Sequence, residues 1–177
     1  MRIWLDQVRD EPFSWDETER IAPESLDRPE LLELGPVHWR GQVVFADPGY
    51  FLRAHLSYGQ ALGCIRCLKT TAKPVSSEVE LMILVDRLGE PGGEHALHES
   101  DMGILYVADE VLETRPILLE QLQLNIPMKP LCRDDCRGLC PVCGIDRNTG
   151  TCSCAERTVD PRWAGLAGLK DRLDEKD

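Results

Sequence analysis

The chain has no run of about 18 apolar residues, so no membrane-spanning helix is expected. A secretory leader is not expected either: the opening MRIWLDQVRDEPFSW has only a short apolar stretch, broken by Asp6 and Arg9. The expectation is a cytoplasmic location, where thiols stay reduced. Positive charge is scarce. There are 20 Lys+Arg against 31 Asp+Glu, a formal net charge of -11, which argues against a broad phosphate-binding surface. The deficit lies in the N-terminal part: residues 1–128 hold 11 basic and 22 acidic side chains, and residues 129–177 hold 9 of each. No glycine-rich phosphate loop, G-x-S-x-G elbow or H-E-x-x-H motif occurs. Carboxylates are plentiful, but spacing assigns none to an acid–base pair, and no internal repeat is present.

What is there is a globular composition. At 177 residues, 42% hydrophobic and 29% charged, the chain can build a core without disulfide staples. Residues 1–5 suggest a short strand. Residues 10–36, rich in Pro, Glu and Asp, predict irregular wrapping with at most a short helix from Glu30 to Leu34. After Gly41, two apolar runs flank Asp47-Pro48-Gly49, a strong turn signal. In the second run Leu52, Ala54, Leu56 and Tyr58 alternate with Arg53, His55 and Ser57, the period of a half-buried strand. Val79, Leu81, Ile83 and Val85 repeat that alternation, with CIRCLKTTAKP between the two strands. Residues 87–101 read as an exposed acidic loop and 103–108 as another strand. Thr114 is a candidate N-cap for a helix with Pro116 in its first turn, ending before Pro127. Asp160-Pro161 begins a last helix, with Trp163, Leu166, Leu169 and Leu173 on one face.

Eight cysteines stand out, six of them within CRDDCRGLCPVCGIDRNTGTCSC at 132–154. They pair as Cys64-x2-Cys67, Cys132-x3-Cys136, Cys140-x2-Cys143 and Cys152-x-Cys154. CPVCG at 140–144 has the form of a zinc knuckle: two thiolates turn toward one ion, backbone N–H groups bond to the sulfurs, and a glycine tolerates the tight turn. The preferred partition is Cys140, Cys143, Cys152 and Cys154 for one ion and Cys64, Cys67, Cys132 and Cys136 for a second, tying the sheet to the start of the cysteine segment. The competing partition has one ion within 132–154 and leaves Cys64 and Cys67 free. Three other chemistries stay open. Disulfides suit neighbours two or three apart poorly. A thioredoxin-type redox pair would need a helix where Pro141 and Gly144 stand. Iron of rubredoxin type shares the ligand chemistry. The histidines add little. His95-x-x-His98 has ligand spacing but lies in the acidic loop, and His38 and His55 are isolated, His55 on the outward parity of its strand.

In order along residues 64–169, IRCL after Cys64, NIPMKPLC running into CRGLCPVCG, NTGTCSC and DPRWAGLAGL resemble the YceD-like family, large ribosomal RNA subunit accumulation proteins. The resemblance is strongest over 125–166. It implies a role in accumulation or maturation of large-subunit ribosomal RNA, with no established enzymatic reaction. Its signature positions fall on Cys64, Arg66, Cys67, the six cysteines of 132–154, Gly138, Gly144, Asn148 and Asp160-Pro161-Arg162. Arg66, Arg133, Arg137, Arg147, Arg157 and Arg162 are the candidate RNA or protein contacts. The expected protein is therefore α+β, in three parts. An antiparallel sheet with a packed helix occupies 1–128, a zinc-ribbon-like cysteine module 129–159, and a final short helix 160–177. It is expected to be a non-enzymatic factor with one or two structural Zn2+ ions. Its partner would be a ribosomal or ribosomal-RNA-processing protein or limited ribosomal RNA, with no membrane and no small-molecule substrate. Two rival readings are a zinc ribbon that binds RNA or DNA directly and a zinc- or thiol-dependent enzyme.

Overall fold

The structure is a computed structural model, and it describes residues 1–85, 103–108, 110–154 and 162. The expected 87–101 loop with His95 and His98, Arg157, and all of the expected 160–177 helix except Arg162 lie outside the described residues. The chain divides into two compact units, Met1–Cys136 and Arg137–Asp177.

The first unit is built on a hairpin. Strands β4 (Val37–Ala46) and β5 (Gly49–Gly63) are joined by Asp47-Pro48, whose peptide bond is cis. They pair antiparallel from Ala46↔Gly49 to His38↔Ser57. Strand β6 (Thr70–Val85) returns antiparallel along all of β5. The expected alternation holds on β5. Tyr50, Leu52, Ala54, Leu56 and Tyr58 are buried, and the Arg53 guanidinium faces outward onto the Glu80 carboxylate at 2.8 Å.

Tertiary pairing overrode the local signal in three places. The 10–36 segment is not merely irregular, and Glu30–Leu34 is not helical. It contains β2 (Phe13–Glu19), a 3-10 turn (Pro23–Leu26) and β3 (Leu31–Leu34). β2 buries only Trp15, so it shows no alternation; its register with β4 comes from edge pairing rather than from its own pattern. β3 continues the line of β4 along the far end of β5, and the Gly35 N–H donates to the Gly59 carbonyl at 2.8 Å between them. The second correction concerns β6, which begins at Thr70, so TTAKP is strand rather than connection. Third, β7 (Ile104–Val107) pairs parallel to β6, which makes the sheet mixed rather than antiparallel. The intervening stretch of chain is long enough for a parallel return, which needs about a dozen residues or more.

Against the apolar face lie α1 (Leu5–Val8), α2 (Thr114–Asn125) and a two-stranded sheet of β1 (Arg2–Trp4) with β8 (Val111–Glu113). Ile3, Leu5, Leu112, Leu118 and Leu122 join Trp39, Leu52, Leu56 and Ile83 in one core cluster. Each such side chain stabilises the fold by about 1.5–3 kcal/mol through burial. Thr114 is the first residue of α2 rather than its cap, and its orphan backbone N–H is satisfied by the Met1 carbonyl at 3.1 Å.

At Gly41 the Trp15 ring lies against the backbone of β4. A Cβ there would collide with the Trp15 ring and sit 2.8 Å from the Ala54 Cβ. Trp15 lies across this gap and packs against Trp39, with ring centroids 5.8 Å apart. In an open strand Gly→Ala gains roughly 0.5–1 kcal/mol. Here Gly41→Ala is expected to lose about 1–3 kcal/mol by overpacking, with a changed near-ultraviolet tryptophan signal, as urea unfolding will show.

Candidate metal centre

Two turns in the chain share one hydrogen-bond pattern. Between β5 and β6, the Leu68 N–H donates to the Cys64 carbonyl at 2.8 Å and the Cys64 N–H to the Lys69 carbonyl at 2.9 Å. In the second unit, the Gly144 N–H donates to the Cys140 carbonyl at 2.9 Å and the Cys140 N–H to the Ile145 carbonyl at 2.8 Å. The fifth residue of each turn is left-handed: φ is 60° at Leu68 and 74° at Gly144. Glycine adopts this conformation freely, whereas leucine bears a cost of roughly 1–2 kcal/mol. The fold turns backbone N–H groups inward onto sulfur: those of Arg66 and Cys67 meet Cys64, and those of Val142 and Cys143 meet Cys140. N–H groups aimed at a thiolate are what a metal-binding knuckle requires around its first shell of ligands.

Each turn meets a second pair of cysteines. In the first unit Sγ of Cys64 lies 3.8 Å from that of Cys136, and Sγ of Cys67 lies 3.6 Å from that of Cys132. All four sulfurs of Cys64, Cys67, Cys132 and Cys136 fall within 4.8 Å of one another, as do those of Cys140, Cys143, Cys152 and Cys154. A tetrahedron of sulfurs about 2.3 Å from a central Zn2+ has edges of about 3.8 Å. Bonded sulfurs would stand at about 2.05 Å, and all eight cysteines are free. The donor set therefore fits a tetrahedral thiophilic cation at both places. Neither His38, bonded to Thr18, nor His55, bonded to Ser76, belongs to either group.

Electrostatics within each group points the same way. Burial pushes the Cys64 thiol up, but the N–H groups of Cys67, Cys132 and Arg66 more than offset it and bring it down to about 6. The N–H groups of Cys143 and Val142 hold Cys140 down to about 6 against burial. Their neighbours move the other way. Burial, then the sulfurs of Cys136, Cys67 and Cys64, push Cys132 up to about 12. The Cys143 sulfur, then burial, push Cys154 up to about 12. One thiolate per group is favoured and the next is opposed by like charge. A divalent cation at the centre removes that opposition and lets all four ionise.

The segment 126–136 is strapped onto the sheet end. Arg28 Nη2 donates to the carbonyl of Ile126 at 3.2 Å, and the Ile65 N–H to that of Pro130 at 3.0 Å. Arg66, set between the two cysteines of the first turn, donates from Nη1 to the Cys136 carbonyl at 2.8 Å. It braces one half of the sulfur group against the other, a role that its place in the sequence does not reveal. In the second unit the Asn148 Oδ1 accepts the Arg137 N–H at 2.8 Å, and the Arg147 N–H donates to the Gly138 carbonyl at 3.0 Å. Leu139↔Asp146 is the one strand-like bridge among the described residues there, so a knuckle is present without paired ribbon strands. The other candidate contact residues lie at the surface: Arg133 pairs with Asp135 at 3.2 Å, and Arg137, Arg147 and Arg162 are exposed.

Comparison with known proteins follows this geometry. The family model described as "Large ribosomal RNA subunit accumulation protein YceD" matches residues 52–170, a span that contains both cysteine groups. An uncharacterized protein of Mycobacterium tuberculosis is 32% identical over 108 residues, 60% of this chain and 48% of the relative. The large ribosomal RNA subunit accumulation protein YCED homolog 1, chloroplastic, of Arabidopsis thaliana is 23% identical over 137 residues, 66% of this chain and 43% of the relative. The uncharacterized protein YlbN of Bacillus subtilis is 25% identical over 173 residues, 97% of this chain and 95% of the relative. The chain thus spans about half the length of the mycobacterial and chloroplast relatives. No solved structure matches it. Among the described residues no helix is long and apolar enough to cross a membrane.

Native mass spectrometry is expected to count two zinc ions per chain; a single ion would leave one sulfur group without a ligand role. Cys143→Ser should strip hydrogen-exchange protection from the amides of Gly144 and Arg147 while those of β5 keep theirs. The reason is that the described residues 137–154 offer only Leu139, Val142 and Ile145 as large apolar support, with Val142 62% exposed. Unchanged exchange at Gly144 would refute metal-dependent folding of this segment.

Proposed function

The chain belongs to the YceD family of large ribosomal RNA subunit accumulation proteins, and from that premise we propose that it is a non-enzymatic factor supporting accumulation of large-subunit ribosomal RNA through structural zinc. Cys64, Cys67, Cys132 and Cys136 hold one Zn2+, and Cys140, Cys143, Cys152 and Cys154 hold the other. The observation that carries this reading is the completeness of the sulfur sets: four donors converge at each place. A catalytic zinc keeps one coordination position for water or substrate, and a closed four-thiolate shell does not. The chemistry these residues supply is mechanical. Arg66 and the Ile65 N–H clamp the 126–136 strap to the sheet end, and the metal makes that closure rigid.

The function is exercised by docking, in the cytoplasm, onto a ribosomal or ribosomal-RNA-processing protein. The charge of -11 disfavours an extended RNA interface. Arg133, Arg137, Arg147, Arg157 and Arg162 are left as candidates for individual contacts.

Removing the gene from its host should lower large-subunit ribosomal RNA relative to small-subunit ribosomal RNA. A copy of the native chain should restore the ratio, and one carrying Cys67→Ser with Cys143→Ser should not. An unchanged ratio on removal would sink the reading. Rescue by the cysteine variant would sink the part assigned to zinc.

A further inference from the structure

The two sulfur groups share their ligand chemistry and their turn but differ in access. In the first, Cys64, Cys67 and Cys136 are 1%, 4% and 2% exposed, and Cys132 is half-buried. The strap that carries Cys132 and Cys136 is bonded to the turn through the Ile65 N–H and the Arg66 guanidinium. In the second, Cys143 and Cys152 are exposed, Cys154 is half-buried and Cys140 is buried. The chain on either side of Cys143 is open too. Val142 is 62% exposed, and a Cβ built at Gly144 would meet no atom within 4 Å. The matching neighbour of Cys67 in the first turn is a leucine, Leu68. The second group is therefore the one more open to an outside reagent.

Access matters because a metal-bound sulfur is still a nucleophile. Coordination keeps the thiol deprotonated, and the thiolate is the form that oxidants react with. The sulfurs of the second group are also placed to bond to one another. Neighbours in the chain, Cys140 with Cys143 and Cys152 with Cys154, suit a bridge poorly. Pairs across the group are in contact: the Cys154 sulfur with that of Cys143, and the Cys152 sulfur with that of Cys140. All four lie within 4.8 Å of one another and come from residues 140–154, inside the second unit. A bridge there asks nothing of the sheet.

We propose that Cys143 is a site of reversible oxidation by hydroperoxides, with Cys154 as its resolving partner, and that this oxidation opens the second sulfur group while the first stays closed. The Cys143 thiolate attacks the terminal oxygen of ROOH. The O–O bond breaks, RO⁻ leaves and takes a proton from water, and Cys143 becomes a sulfenic acid. The Cys154 thiolate then attacks the Cys143 sulfur, an S–S bond forms and hydroxide leaves. Each sulfur gives up one electron and the peroxide takes both. With two of four donors gone, Cys140 and Cys152 hold the ion weakly and it passes to solvent. A dithiol reverses the bridge by exchange, so in a compartment that keeps thiols reduced the oxidised form is transient. Arg137 and Arg147, two of the candidate contacts, stand in this segment, and its opening withdraws them from a partner. The inference rests on the zinc reading, because a bound ion is what keeps all four sulfurs ionised and facing one another.

The test treats the zinc-loaded full chain with hydrogen peroxide while a chromophoric chelator reads zinc release. At intervals the free thiols are alkylated under denaturing conditions, and bridges are mapped by mass spectrometry of unreduced peptides. One zinc ion per chain should leave about tenfold faster than the other, or faster still, and the Cys143–Cys154 bridge should appear at the rate of that first release. At that point Cys64, Cys67, Cys132 and Cys136 should all still be alkylated, and the amides of β5 should keep their hydrogen-exchange protection. Dithiothreitol with added zinc should restore both ions. Release of both ions together, earlier oxidation in the first group, Cys143 still a thiol after the first ion has gone, or a bridge that dithiothreitol and zinc do not reverse would each overturn the inference. Zinc is counted before peroxide is added. A chain that starts without two zinc ions refutes the metal reading itself, whereas two ions that peroxide leaves in place refute the oxidation site alone.

Discussion

Four sulfur atoms held within 4.8 Å of one another are costly unless something positive sits among them. Once the first thiol ionises, like charge opposes the rest, and the backbone N–H groups that favour Cys64 and Cys140 cannot serve the whole set. The protein accepts this twice, with the same turn. In the first unit the turn caps the β5–β6 hairpin and receives Cys132 and Cys136 from a strap whose own contacts with the sheet end are a few hydrogen bonds. The turn and the strap meet at those sulfurs.

The two units lean on sulfur to different degrees. The first has a continuous apolar core of sheet, α1, α2 and the β1–β8 pair. Its sulfur group joins the β5–β6 turn to a later segment of chain. In the second, among its described residues only Gly138 and Cys140 are buried. Converging sulfurs can give a chain a small, firm surface without enlarging its hydrophobic interior.

Much of this was written locally. Spacing made two fours the preferred partition of the eight cysteines, over one that left Cys64 and Cys67 free, and the structure brings those same fours together. The Asp47-Pro48-Gly49 turn and the alternation of Leu52, Ala54, Leu56 and Tyr58 located the central hairpin. What stayed hidden was non-local. β2 owes its place to β4, with Trp15 its single inward side chain. β7 shows nothing in its four residues that says parallel. Arg66, a candidate RNA or protein contact by its sequence, donates within the chain to the Cys136 carbonyl. The left-handed leucine had no local signal at all, since only its glycine counterpart in the other knuckle follows the usual rule.

The long reach of the first sulfur group sets an order on the chain's birth. Cys64 and Cys136 are 72 positions apart, whereas the second group's four sulfurs all come from residues 140–154. A ribosome making this protein releases the first hairpin and its two cysteines well before their partners, so an early half-site waits, open to any passing thiophile, until the strap emerges. The remaining cysteines follow almost at once. The two centres therefore close in quick succession near the end of synthesis, although the first began to form far earlier.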